Sequence, residues 1–212
     1  MRDAERWWAA AVGAVGLLAW VAGSLVSAIP PSDRPVASVI ADLAGRRSAV
    51  LTGSILSVAG SALLLWPIAA VAASAGPDVW PSLAIGSVAV AAVGFALLCV
   101  ASVLVATVAW LGPDDVAPST ARFALVAAHL ATWSVSAPIG AASVLATTVV
   151  AVQADLAGGL LVALAGVKVA TVVVEVAGTG RRTGWNAGGW ARGVSGYTSV
   201  AWFAALLLTV AP

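Results

Sequence analysis

The sequence predicts an all-α fold: a bundle of six transmembrane helices, with a short interfacial helix in the first loop and a Pro-kinked fourth helix. Three observations predict it. Of the 212 residues, 61% are hydrophobic and only 9% charged, and the mean hydropathy is +1.04. A soluble chain carries roughly a quarter charged residues, so this one cannot cover a water-facing surface. The apolar residues gather into runs that, at about 1.5 Å per helical residue, match the roughly 30 Å of a bilayer's hydrocarbon. Pro, Gly, Asp and Arg stand between the runs, which fall near 9–29, 49–73, 83–111, 121–152, 156–177 and 198–210. One integral membrane domain, 1–212, holds them all.

The first run follows a charged head and the pair Trp7-Trp8, side chains that favour the bilayer interface. Arg2, Arg6, the apolar stretch and Val26-Ser27-Ala28 also fit a secretory signal. The stretch is longer than a signal's apolar region of about 7–15 residues, which favours a retained span. Pro30, Pro31 and Pro35 then open a loop. Within it Val36, Val39, Ile40 and Leu43 fall on one helical face, and Asp42 can pair with Arg46 four residues on. This short helix, ending at Gly45, lies flat in the interface or packs on the bundle.

The second span carries Trp66-Pro67 towards its far end, where Pro67 is expected to kink it. Gly53 and Gly60, seven apart, fall on one face, and Gly13 and Gly16 mark the first span in the same way. Small residues suit a bundle in lipid, where close packing replaces the hydrophobic drive between helices. They also suit a self-association face. Gly76-Pro77-Asp78 makes a turn, and the third span closes at Trp110 and Gly112-Pro113-Asp114-Asp115. Ser119-Thr120 can cap the fourth span. Its 32 residues would measure about 48 Å as straight helix, too long for one upright crossing. Pro138-Ile139-Gly140 in its middle leaves a single kinked helix or two short spans; the kinked helix leaves fewer backbone groups unpaired in lipid.

The fifth span holds Lys168 and Glu175, and the fourth holds His129. A charged Lys near the midplane costs about 2.5–3.5 kcal/mol or more, so it must be paired, neutral or facing a wet cavity. Measured from the Arg-rich end, His129 lies about 10 Å deep, Glu175 about 9 Å and Lys168 about 20 Å. One reading is a polar site for proton- or ion-linked transport. The other is a buried Lys168–Glu175 contact that fixes helix register, with His129 hydrogen-bonded to Thr132 or a carbonyl.

Residues 178–197, rich in Gly and holding Arg181, Arg182 and Arg192, read as a basic loop beside lipid headgroups; Arg46 and Arg47 join them there. Seven Arg stand at that end of the bundle against Arg2 and Arg6 at the other. The positive-inside rule makes the Arg-rich loops cytoplasmic, whereas the signal-like N-terminus argues the reverse. Arg in place of Lys, with abundant Ala, Val and Gly, is associated with GC-rich bacterial genomes, hence a bacterial cytoplasmic (inner) membrane.

Several chemistries are excluded. A net charge of +1 without a basic, aromatic-studded patch gives no reason to expect nucleic acid. Cys99, alone, forms no internal disulfide. One His with one Glu falls short of a metal's ligand set, and Asp114-Asp115 between prolines reads as a solvated turn. The glycine-rich loop lacks the Lys-Ser/Thr ending of a phosphate loop. A Schiff base on Lys168 would call for seven spans. No cofactor and no metal is expected.

The run ADLAGRRSAVLTGSILSVAGSALLLWPIA, residues 41–69, resembles the start of small six-span bacterial integral membrane proteins of unknown function. The stretch GRRTGWNAGGWARG is similar to their basic Trp/Gly loop before the last span. The resemblance implies the six-span fold and no particular activity. Two functions remain: an ion- or proton-linked transport module, or an accessory membrane subunit. The expected partners are the lipid bilayer and either a second copy or another membrane subunit. An enzyme is least supported, because no nucleophile–base pair can be named.

Overall fold

A computed structural model describes residues 3–28, 34–76, 79–178 and 190–212, with Trp133, 177–178 and 190–192 described for their backbone alone. Among the described residues the chain is all-helical. They form nine α-helices, α1 (Asp3–Val26), α2 (Val36–Gly45), α3 (Arg47–Leu63), α4 (Leu65–Ala73), α5 (Pro81–Asp115), α6 (Pro118–His129), α7 (Ser136–Gln153), α8 (Gly159–Gly178) and α9 (Trp190–Val210), with a π-helical turn, Leu130–Val135, between α6 and α7. Six helical stretches are long and apolar enough to cross a membrane: Asp3–Val26, Arg47–Ala73, Pro81–Asp115, Pro118–Gln153, Gly159–Val176 and Gly193–Val210. These suit a multi-pass membrane protein. Their outer faces fit lipid too, since Leu18, Ile85, Phe123 and Leu208 are exposed.

The spans form a ring in chain order. α1 packs on α3, α3 and α4 on α5, α5 on α7, α7 on α8, α8 on α9, and α9 returns to α1. α4 also reaches α7 and α9 across the middle. One core cluster gathers there, around Leu64, Ile68, Val71, Val150, Leu161, Trp202 and Leu206. A second forms at the Arg-rich end, where Val39, Ile40 and Leu43 of α2 meet Val105 and Val108 of α5 and Ala121 and Ala128 of α6. The apolar face of α2 is thus buried against protein.

The α1–α3 seam is a glycine interlock. A Cβ at Gly60 would sit 2.6 Å from the Gly16 carbonyl oxygen, and one at Gly53 would sit 2.9 Å from that of Gly23. Real Cβ atoms do not approach a backbone so closely, so only glycine lets these helices meet there. The two glycines on the second span therefore serve an internal contact.

Interruptions in the spans have local causes. The second span breaks at Leu64, between α3 and α4 and three residues before Pro67. α5 leaves helical geometry at Gly112, with φ 74° and ψ −174°, a region that L side chains avoid. Pro113 follows without an N–H, so it cannot donate to the Ala109 carbonyl. Arg47 supplies the missing donors. Its Nε donates to the Ala109 oxygen at 3.3 Å, its Nη2 donates to the Trp110 oxygen, and its guanidinium lies 5.1 Å over the Trp110 ring. Arg46, its neighbour, pairs with Asp42 at 3.1 Å, the spacing foreseen from the sequence.

Two expected boundaries move. Ser119 and Thr120 do not cap α6. The helix starts at Pro118 after Ala117 with no side-chain cap, because proline's fixed φ and missing N–H suit a first helical position. The last helix starts at Trp190, so residues 190–197 form its first two turns in place of a loop. At the other end of the bundle, α7 closes with Leu156 N–H bonded to the Ala151 carbonyl at 2.9 Å and Asp155 N–H to that of Val152 at 3.1 Å. That is a Schellman motif, with Asp155 in the left-handed position at φ 52°.

Candidate functional site

The early start of α9 decides the site. α8 and α9 run antiparallel and pack along their length, which carries Ser195 past Lys168. The Lys168 ammonium donates to Ser195 Oγ at 2.7 Å and to the Ser195 carbonyl oxygen at 3.2 Å. Lys168 is 6% exposed and Ser195 2%, so the bond lies inside the helix pair. Its energetic logic follows from the surroundings. A cation among apolar residues is expensive unless its protons find acceptors, and Ser195 offers two. Thr171, on the same face of α8, donates to the Lys168 carbonyl at 2.9 Å.

Glu175 stands two turns further along α8, at i+7 from Lys168, and is buried as well at 9% exposure. Both ionisable groups of this span therefore turn inward, away from the outer surface of the bundle. The Lys168 ammonium reaches sideways to α9 for its hydrogen bonds. The roughly 10.5 Å of rise between i and i+7 explains this choice, since Ser195 is nearer than a carboxylate two turns away.

His129 ends α6 and is half-buried. α6 packs on α2, α5 and the π-turn, whereas α8 packs on α7 and α9. Across the α7–α8 seam Ala141 meets Val172, so Glu175, three residues on, stands opposite the region of Pro138. His129 is nine residues beyond Pro138, on the order of 10 Å further towards the Arg-rich end. The structure brings Lys168 and Glu175 onto one face and leaves His129 at another level. Counting inward from Arg122 and Arg181 treated the two helix ends as level. In fact the run Pro118–Gln153 overhangs α8 at that end, where α6 rests on α2.

A second buried polar contact joins α9 to α7. Trp202 Nε1 donates to Thr148 Oγ1 at 3.1 Å, and Thr148 passes its own proton to the Val144 carbonyl at 2.7 Å. Trp202 is fully buried and meets Phe203 edge-on at 5.1 Å. Outside, an apolar groove of about 550 Å³ runs between α7 and α8, lined by Pro138, Ala141, Leu145, Val169, Val172 and Val176 among others. Neither Lys168 nor Glu175 lines it.

Sequence reasoning missed Ser195 and Arg6. Ser195 sits between Gly193 and Gly196, weak helix formers, so the segment reads as loop. Arg6, read as part of a charged head, is bonded to the last carbonyls of α9. Of the side chains expected beside headgroups, Arg46 and Arg47 make the contacts above, and Arg181, Arg182 and the Arg192 side chain lie outside the described residues. A scan against protein-family models matches none, and comparisons with curated proteins and with solved structures give no match.

Proposed function

We propose that the chain is a small ion- or proton-linked transport module of a bacterial inner membrane, with the Arg-rich end cytoplasmic and Lys168 and Glu175 as its working groups. The observation that carries this reading is the burial of both on one face of an apolar span. Charged side chains are rare in spans and mark ion pathways when they occur. α2 then lies at the membrane interface, and the span Pro118–Gln153 bends at Pro138, directly after the π-turn, a common place for a helix to hinge. His129 stands near the cytoplasmic entrance in this reading, where it can exchange protons with water.

A second reading has its own support. Lys168 is bonded to Ser195 across two helices, as a fastener would be. In that case the chain is an accessory subunit without transport, and its partner is another membrane subunit or a second copy.

Proteoliposomes loaded with a pH-sensitive dye separate the two. Transport predicts proton flux that Lys168→Met with Glu175→Gln abolishes while unfolding temperature stays within a few degrees of the parent. If parent and double variant give the same flux, or neither exceeds empty vesicles, the transport reading fails.

A further inference from the structure

We propose that the corner where α2 turns into α3 binds a lipid of net negative charge, its phosphate held by Arg34 and Arg46 and its acyl chains laid along the outer α3–α5 seam. This rests on the membrane fold and goes beyond transport, since it needs neither Lys168 nor Glu175. The guanidinium groups of Arg34 and Arg46 both close on one carboxylate oxygen, Asp42 Oδ2, at 3.7 Å and 3.1 Å. They flank α2 from opposite ends and stand within one phosphate's reach of each other. Their side chains are 42% and 45% exposed, so an incoming anion can meet both.

The charge of this corner does not balance. Asp42 neutralises one guanidinium of the two, and Arg47, next in the chain and exposed, adds a third. Arg47 bonds the Ala109 and Trp110 carbonyls, contacts that leave its charge in place. Among the described residues of the corner, two positive charges are left over. Asp114 and Asp115, the acids at the end of α5, come after the chain has left helical geometry at Gly112. Arginine's fork matches phosphate oxygens, and basic pockets at the ends of spans bind anionic headgroups.

The surface beneath the corner makes the anion a lipid. The Arg47 guanidinium covers the Trp110 ring, and Trp110 is 58% exposed, as suits a side chain at headgroup level. α3 and α5 run antiparallel, with Ser54 Oγ bonded to the Ser102 carbonyl across their seam at 3.3 Å. Ile55 and Val103, each one residue on, turn to the same outer side and are well exposed. Val103 lies about 10 Å deeper than Trp110 on one face of α5. An apolar track thus descends from the corner into the hydrocarbon. A soluble phosphate would use the guanidinium groups alone, whereas a lipid uses both parts.

Asp42 acts as a competitor within the site. One of its oxygens holds both arginines, and a phosphate must displace it or share them. Hydrogen bonds between a guanidinium and a phosphate are charge-assisted and come in parallel pairs, which favours the exchange. A zwitterionic lipid brings its own cation, which the surplus positive charge repels. The corner therefore selects by the net charge of the headgroup.

Native mass spectrometry of the full chain in detergent, titrated with phosphatidylglycerol or phosphatidylcholine, tests this. The expected result is phosphatidylglycerol retained in preference to phosphatidylcholine. Arg34→Gln with Arg46→Gln should weaken its binding about thirtyfold, and Asp42→Asn should tighten it several-fold. Arg122→Gln, at an exposed arginine of α6, and Asp114→Asn should leave it unchanged. Equal retention of the two lipids, or a double arginine variant that binds as the parent does, overturns the proposal. So does an equal loss in Arg122→Gln, which would mean general attraction to a basic end. Displacement of the lipid by inorganic phosphate would make the ligand a soluble anion and overturn the lipid assignment. If the double variant does not fold, Asp42→Asn decides: tighter binding sustains the site, and unchanged binding ends it. No readout depends on flux, so failure here leaves the transport reading to its own experiment.

Discussion

Arg6 Nε donates to the carbonyl oxygen of Val210 at 3.1 Å, joining the start of the first helix to the end of the last. Nη2 of the same guanidinium lies 3.4 Å from the Thr209 oxygen and 3.5 Å from that of Ala211. The final carbonyls of a helix lack donors within it and carry its negative end. Arg6 answers both needs at once, as Arg47 does at the break in α5 on the opposite side of the bundle. Arg6→Gln should lower stability by about 1–2 kcal/mol, read as a fall in unfolding temperature in detergent, and Arg6→Lys should recover part of it.

The glycine interlock gives a prediction with an internal control. Gly60→Ala places a methyl 2.6 Å from the Gly16 carbonyl oxygen, and backbone cannot swing aside as a flexible side chain can. The helices must part, at about 1–3 kcal/mol. Gly140→Ala, where a Cβ meets nothing within 4 Å, should be neutral or stabilise by about 0.5–1 kcal/mol through better helix propensity. Thermal unfolding of both variants measures the contrast.

The buried amine predicts a rescue. Ser195→Ala deletes one of the two acceptors that Lys168 has there, the hydroxyl, and leaves the backbone carbonyl alone to solvate the cation, at about 1.5–3 kcal/mol. Replacing the cation as well, in Lys168→Met with Ser195→Ala, takes away the group that needed support. The double variant should therefore unfold at a higher temperature than Ser195→Ala alone. A double variant less stable than the single one would contradict this account of the Lys168–Ser195 contact.

Asp155 offers a stabilising substitution. It holds the left-handed position of the Schellman motif after α7, with φ 52°. A β-carbon costs about 1 kcal/mol there relative to glycine. Asp155→Gly should raise unfolding temperature slightly and leave the Leu156–Ala151 bond in place, which slower amide exchange at Leu156 would report.

Much of the architecture was legible in the sequence because membrane spans announce themselves by length and hydropathy. The helix at Val36–Gly45 followed from a four-residue apolar face, and the end of the third span from Gly112-Pro113. The inward turn of Lys168 and Glu175 followed from the cost of charge in lipid. What stayed hidden depended on helix pairing. Ser195 lies in a stretch whose glycines and arginines argue for loop, and only the antiparallel contact of α8 with α9 turns it into a helix facing a lysine. The level of His129 was misjudged because nothing in the sequence says how far one span overhangs another. The Arg6 and Arg47 caps were equally out of reach, since each joins residues distant in the chain.

The interlock of α1 with α3 also changes how association experiments on this molecule should be interpreted. Glycine stripes in spans are the usual first targets when a dimer interface is sought, and Gly53 and Gly60 would head such a screen. Their face is already occupied by Gly23 and Gly16 of the same chain. Loss of crosslinked dimer after mutating them would therefore report a protomer that has come apart, and a search for partners belongs on the outer surfaces of α5, α7 and α8.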